Sequence, residues 1–314
     1  MASPARALLR GRSGAHARGG GWCLLITSAR HAVVTAVRNL RGHQGRQAGI
    51  CVLEGPHLVQ EAIRAGLAIY AVLHTEAFTL SPTGMPCLRA VTAVCAATAP
   101  PTFPLAAGVT CVGAPTFAAM SELPAPQGVL AVVARPPTHG WCAAEQSRAG
   151  PTLGLALDGV QDPGNVGNLA RALGAFGGAG APLLIGMGTA DPFGGKALRA
   201  SAGAVLHLAV QDVPDLPSAL GASRAWGWQW WGLDAHRGEA LSGDLGDGPC
   251  GFVVGSEGAG LSAGIAALCP MRTLRTLPVV ESLGAAQAGT IALYSAYAAY
   301  LARLGGPAAA PLRC

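Results

Sequence analysis

The residues best placed to do chemistry stand in Leu155-Ala-Leu-Asp158-Gly-Val-Gln-Asp162-Pro-Gly164-Asn165-Val-Gly167-Asn168-Leu-Ala-Arg171-Ala-Leu-Gly174. A short apolar run passes a turn at Asp162-Pro163-Gly164 and becomes a helix, with Val166, Leu169, Ala170 and Leu173 on one apolar face. At about 100° per residue, Arg171 lies roughly 140° round from Val166, away from that face. The turn sets Asn165 at the helix start, where an amide caps free N–H groups or faces a ligand. Polar groups at the carboxyl end of a strand are how an α/β sheet builds a binding site. By itself the stretch also reads as an ordinary capped turn between a strand and a helix.

Two further stretches invite the same question. In Asp191-Pro-Phe193-Gly-Gly-Lys196-Ala-Leu-Arg199-Ala-Ser201-Ala-Gly203, the cations at 196 and 199 would hold a phosphate or cover a helix end, and Lys196 is the chain's one lysine. In Gly251-Phe-Val-Val-Gly255-Ser256-Glu257-Gly258-Ala-Gly260-Leu-Ser262 a strand ends in a glycine-rich turn, which lets backbone N–H groups approach a ligand closely. It is neither a Walker A loop nor a Gly-x-Gly-x-x-Gly fingerprint.

The elements that must position these residues alternate between strand and helix, which implies a parallel α/β sheet. The expected strands are Leu183–Ile185, Leu206–Val210 and Gly251–Val254, with a last periodic segment from Ile291 to Leu301. Trp226, Trp228 and Trp230 alternate, which puts them on one face of a strand, in the core or at a subunit contact rather than stacked on bases. Upstream, Ala32, Val33, Ala36, Val37 and Leu40 form a helical stripe flanked by Arg30, Arg38 and Arg41. A strand and helix follow over Gly49–Ile63, then strands at Ala68–Leu73 and Val129–Ala134 with loops between, including residues 100–104, and a short helix over Phe117–Leu123. The segments are 1–27, a transit peptide or disordered tail; 28–135, a small α/β domain; 136–151, a linker; 152–304, the larger domain; and 305–314, a tail.

Composition narrows the class. With 51% hydrophobic and 12% charged residues, the chain reads as globular, and no uninterrupted apolar run of membrane-spanning length occurs. Nine cysteines are scattered without a Cys-x-x-Cys pair, which suggests neither a metal site nor a disulfide framework. The net charge of +5 is uneven. Up to Val52 there is no acidic residue but eight arginines, leaving 13 basic against 16 acidic residues beyond it. An Arg-rich, acid-free amino end is the composition of an organellar transit peptide, mitochondrial or, as the alternative, chloroplast.

These stretches resemble the motifs of the SpoU (TrmH-like) RNA ribose methyltransferases of the SPOUT superfamily. Asn165 and Arg171 match motif 1, the Lys196–Gly203 segment matches "K..RaS.Ga", and Gly255–Ser262 matches motif 2, "GsEg.Gls". Leu274-Arg-Thr-Leu277-Pro278-Val-Val-Glu281-Ser282-Leu283-Gly284-Ala-Ala-Gln287-Ala288 resembles motif 3, "iPm…eSLNvs.A". Gly284 departs from it, standing where the family has Asn, and Gln287 is expected on a different face of the helix. Arg38, Arg41, Arg46, Glu54 and Gly55 match the small substrate-binding domain found ahead of many such catalytic domains. The resemblance covers most of residues 28–304.

The resemblance implies a SPOUT trefoil-knot, parallel-sheet methyltransferase domain preceded by a smaller α/β RNA-binding domain, with the knotted domain forming a homodimer. It implies S-adenosylmethionine as cofactor, ribose 2′-hydroxyls of RNA as acceptors (rRNA ahead of tRNA), and no metal or membrane. The catalytic set is Asn165, Arg171, Glu257 and Ser282; Gly255, Gly258, Leu274, Leu277 and Leu283 hold the cofactor. Arg38, Arg41, Arg46, Lys196 and Arg199 meet RNA phosphates. A guanidinium is a reluctant base, so Arg171 is expected to stabilise the developing alkoxide, with Glu257 fixing Arg171 or receiving the proton. The departure at Gly284 keeps a second reading open: a catalytically inactive member with a structural or assembly role in an organellar ribosome.

Overall fold

The structure, a computed structural model, describes residues 25–95, 108–138, 152–241, 245, 248–277, 279 and 282–304. The segment 1–24, the loop 100–104, most of the linker and the tail lie outside them. The chain divides into two compact units, Met1–Pro136 and Pro137–Cys314.

The first unit runs α1 (Ala32–Leu40), α2 (His43–Gln47), β1 (Ile50–Glu54), α3 (Pro56–Arg64), β2 (Ile69–His74), α4 (Glu76–Thr79), α5 (Gly84–Val94), β3 (Gly108–Cys111), α6 (Ala114–Met120) and β4 (Val129–Ala134). Its sheet has the order β1-β4-β2-β3, with β4 antiparallel to both neighbours and β3 parallel to β2. α1 is capped by His31, whose ring nitrogen accepts from Val33 N, and it buries Val33, Val34, Val37 and Leu40 against Ile50, Val52, Phe117 and Leu130. Each such side chain contributes about 1.5–3 kcal/mol through burial. The stripe is turned slightly from the expected one, since Ala32 is exposed and Val34 is buried. The segment expected to alternate strands with loops contains the helices α4 and α5, and the short helix expected from Phe117 starts earlier, at Ala114, and ends at Met120.

Arg41 overturns its expected role as a phosphate contact. Its side chain is 7% exposed and lies 2.7 Å from Glu54 Oε2, on a side chain 1% exposed, with Glu122 Oε2 at 3.2 Å from its other terminal nitrogen. Ser121 Oγ and the N–H of Glu122 also donate to Glu54. A carboxylate buried at the end of β1 requires a counter-charge, and Arg41 at the end of α1 is drawn inward to supply it. Arg38 stays exposed, donating from Nε to the Ala119 carbonyl at 2.7 Å, and Arg46 is exposed on α2.

The second unit runs β5 (Leu153–Asp158), α7 (Pro163–Gly177), β6 (Pro182–Ile185), α8 (Gly195–Ala200), β7 (Ala209–Asp212), α9 (Leu216–Ser223), β8 (Gln229–Leu233), β9 (Glu239–Ala240), β10 (Cys250–Gly255), α10 (Ala263–Leu268), β11 (Met271–Thr273) and α11 (Ala285–Arg303). Its seven-stranded sheet has the order β7-β6-β5-β10-β8-β11-β9. Every pairing is parallel. From β5 the chain moves outward through β6 and β7, crosses to β8, and returns to insert β10 beside β5. The carboxyl ends of β5 and β10 therefore mark the switch point, where α/β sheets hold ligands. The strand expected over Leu206–Val210 is a 3-10 turn at Ala204–His207 followed by β7, because Gly203 in a left-handed conformation breaks the chain before it.

Trp228 and Trp230 are core residues, whereas Trp226 departs from the expected alternation. Trp226 ends a 3-10 turn and is 57% exposed. Trp228 and Trp230 are buried and stacked, with ring centroids 5.2 Å apart. A Cβ on Gly154 would lie 2.7 Å from the Trp228 ring, and one on Gly251 would lie 2.2 Å from Trp230. Register pairs Gly251 with both Gly154 and Trp230, so two bare strand positions form the seat for two indoles. The Trp230 N–H donates to Ser223 Oγ at 3.0 Å, satisfying its one polar atom.

Candidate active site

β5 ends at Asp158, and the turn beyond it is tied to both neighbouring loops. Thr189 Oγ1 accepts from Gly159 N at 3.1 Å and donates to the Leu157 carbonyl at 3.0 Å, while Ala190 N donates to Val160 O at 2.9 Å. On the other side Asp158 Oδ2 accepts from Ser262 N at 2.7 Å, holding the entrance of α10. The loops after β5, β6 and β10 are thereby joined at the carboxyl edge of the sheet.

α7 starts with Pro163, whose missing N–H costs nothing at the first helical position. Its cap is Asp162, which accepts from Gly164 N at 3.1 Å; Asn165, expected at the helix start either to cap or to face a ligand, lies within the first turn and is not the cap. Lys196 Nζ lies 2.5 Å from Asp162 Oδ1 on largely exposed side chains. The lysine contact first, and the Gly164 N–H second, hold the Asp162 carboxyl below the usual carboxylate range. A Cβ on Gly164 would lie 3.3 Å from Lys196 Cε, so the lysine crosses the helix start where a side chain would otherwise stand.

With the cap supplied by Asp162, the amide of Asn165 is released to face the glycine turn after β10. Its Nδ2 donates to Glu257 Oε1 at 2.5 Å. The turn is closed by Ser256 N to Gly260 O at 3.1 Å and Gly260 N to Ser256 O at 2.9 Å, with Ala259 N donating to Ser256 Oγ at 3.1 Å. A Cβ on Gly255 would meet the Gly260 backbone at 2.3 Å, so no other residue fits beneath this turn. Over Gly258 a Cβ would meet nothing within 4 Å, leaving room for an approaching ligand.

Two helices are held close by bare glycines. Gly167 lets α7 touch α8, since a Cβ there would stand 2.4 Å from the Ala197 carbonyl. Gly289 lets α11 approach α7 and β10, where a Cβ would stand 2.3 Å from Leu169 Cδ2.

The remaining expected residues are distributed as follows. Arg171 is exposed on α7, and no hydrogen bond or ion pair joins it to Glu257, whose partner is Asn165. Leu274 and Leu283 are half-buried, Leu277 is 78% exposed and Ser282 is exposed, all in the connection from β11 to α11. Residues 278, 280 and 281 of that connection lie outside the described set. Lys196 joins the cluster through Asp162, and Arg199 is half-buried on α8. Asp158, Asp162, Thr189 and the close-contact glycines 167 and 289 escaped the sequence reading. Only Asp162, standing directly before a proline at a helix start, carried a local signal.

This arrangement defines an α/β domain with a carboxylate, a carboxamide and an open glycine turn gathered at the switch point of a parallel sheet. Residues 152–294 match the SpoU rRNA Methylase family. The 23S rRNA (guanosine(2553)-2′-O)-methyltransferase RlmP of Bacillus subtilis is 28% identical, over 86% of this chain and 97% of its own length. A tRNA/rRNA methyltransferase of Synechocystis, itself uncharacterised, is 29% identical over 86% of this chain and 92% of its own. Among solved structures, the SpoU methyltransferase AviRb of Streptomyces viridochromogenes, in complex with AdoMet, superposes with a TM-score of 0.71 at 24% identity. It covers 88% of this chain and 100% of its own. An rRNA methyltransferase of Sinorhizobium meliloti gives 0.69 at 21% identity, over 86% and 96%. Residues 152–294, within the second unit, are thus similar to the SpoU (TrmH-like) RNA methyltransferases.

Proposed function

We propose that the chain is an S-adenosylmethionine-dependent 2′-O-ribose methyltransferase of organellar rRNA. The observation that carries this reading is the Asn165–Glu257 hydrogen bond, which joins the helix of motif 1 to the glycine turn of motif 2 at the switch point. The residues present suit the cofactor: Gly255 and Gly258 form the turn with open space above it, and Leu274, Leu277 and Leu283 would add apolar contacts. When bound, S-adenosylmethionine would supply an activated methyl group to a ribose 2′-oxygen, the S–CH3 bond breaking to leave S-adenosylhomocysteine as that hydroxyl loses its proton. Asn165 orients the Glu257 carboxylate as a receiver for that proton. Arg171, exposed and without a side-chain partner among the described residues, is available to stabilise the developing alkoxide or the adjoining phosphate. Ser282 stands beside the start of α11 to contact the reacting ribose. Lys196, Arg199, Arg38 and Arg46 supply affinity for the RNA backbone.

Support for RNA as substrate comes from the named activities of the relatives, and support for an organelle from the acid-free, Arg-rich amino end. The mitochondrion is the first choice and the chloroplast the second. A homodimer through a knotted second unit belongs to the same reading. The departure at Gly284 motivates a second one, an inactive member serving in ribosome assembly.

Calorimetry of S-adenosylmethionine binding to the full chain, followed by methyl transfer to organellar rRNA, decides between them. Micromolar binding with transfer abolished by Arg171→Ala supports the enzyme. Binding without transfer to any RNA favours the assembly role.

A further inference from the structure

α11 begins without a side-chain cap, because its N-cap residue is Gly284. The N–H groups of a first helical turn have no intrahelical partners, and Ser, Thr, Asp or Asn at the N-cap ordinarily covers them. Gln287 stands three residues on, where a Gln or Glu folds back toward the N-cap in a capping box. It does fold back: a Cβ built on Gly284 would lie 2.6 Å from Gln287 Oε1 and 3.6 Å from its Cδ. The space that a side chain at 284 would enter is thus filled by the carboxamide of 287. The expectation that Gln287 lies on a different face holds for its Cα, but its long side chain reaches back round the turn. No hydrogen bond from its exposed amide to another described residue is present, so its N–H₂ remains available.

We infer that Gln287 is a positioning residue of the candidate site, its carboxamide taking the place left by Gly284 and presenting a donor where Ser282 and Leu283 lead into α11. This rests on the methyltransferase reading. The two glycine-side features are complementary: a larger residue at 284 would displace the Gln287 amide, and the bare Cα is what admits it.

The test compares the wild type with Gln287→Ala, Gln287→Glu and the double variant Gly284→Asn/Gln287→Ala. The readouts are S-adenosylmethionine affinity, methyl transfer to rRNA, and amide hydrogen exchange over Ala285–Ala288. Gln287→Ala is expected to lose about 3- to 10-fold in affinity or turnover, the size of one hydrogen bond. Gln287→Glu preserves the fold-back, and with it slow exchange, but carries no N–H₂ and shows a similar loss. The double variant recovers to within about twofold of the wild type, the mark of coupled positions. A Gln287→Glu protein equal to the wild type would reduce Gln287 to a helix cap and overturn the inference. So would an unaffected Gln287→Ala protein, or a double variant no better than Gln287→Ala. In each of these cases the wild type still binds the cofactor and the methyltransferase reading stands. A wild type that binds no S-adenosylmethionine overturns both.

Discussion

Arg41 in the first unit and Arg171 in the second both stand beside an apolar helical stripe, and both were expected to face an RNA substrate. Arg41 is buried and engaged by Glu54 and Glu122, whereas Arg171 is exposed and its expected partner Glu257 is taken by Asn165. The difference lies in where the glutamate sits. Glu54 ends a fully buried strand and must be neutralised, so its arginine becomes part of the architecture. Glu257 projects from an exposed turn and is satisfied by a neutral amide. Arg171, exposed on α7, has no hydrogen bond or ion pair to it among the described residues.

The largest expected effect tests the buried side of this contrast. Arg41→Met strands the Glu54 charge and is expected to cost about 3–5 kcal/mol of stability, read by urea unfolding. Arg41→Met combined with Glu54→Leu should recover most of that loss; failure to recover would mean the pair does more than neutralise itself. On the exposed side, Arg171→Ala should leave stability within about 0.5 kcal/mol while lowering methyl transfer about 10²–10³-fold. An unfolded Arg171→Ala protein would erase the distinction. Gly289→Ala puts a methyl group into the Leu169 side chain and is expected to cost about 1–3 kcal/mol, with weaker cofactor binding as α11 moves.

The smallest effect concerns a buried group without a counter-charge. His74 accepts from or donates to Thr79 Oγ1 at 2.9 Å, and burial lowers its pKa, partly offset by the Thr75 carbonyl. The unfolded chain then binds the proton more readily than the folded one. Stability is full above the unfolded value near 6.5 and falls as the pH drops below it. Urea midpoints followed down from neutral pH should decline in the wild type and flatten in His74→Gln.

What the sequence made legible was local. The β5–turn–α7 unit and the glycine turn after β10 could be read because strand run, breaker and helical period lie within twenty residues of one another. The bonds that make them one site, Asn165 to Glu257 and Ser262 to Asp158, join residues 92 and 104 positions apart, which no local period encodes. Arg41 was misread for the same reason: its helix reveals the charge but not the buried acid waiting on β1. The motif resemblance supplied Glu257 and Gly255 as site residues, yet the steric demand on Gly255, and on the glycines at 167 and 289, emerges only from the packing.

The stacked indoles of Trp228 and Trp230, 15° from parallel, have a consequence in the optical domain. Two transition dipoles held this close couple, so the folded second unit should carry an exciton band in its circular dichroism that neither indole has alone. No tryptophan occurs among the described residues of the first unit. The band therefore offers a built-in reporter by which the melting of the second unit can be followed separately from that of its neighbour.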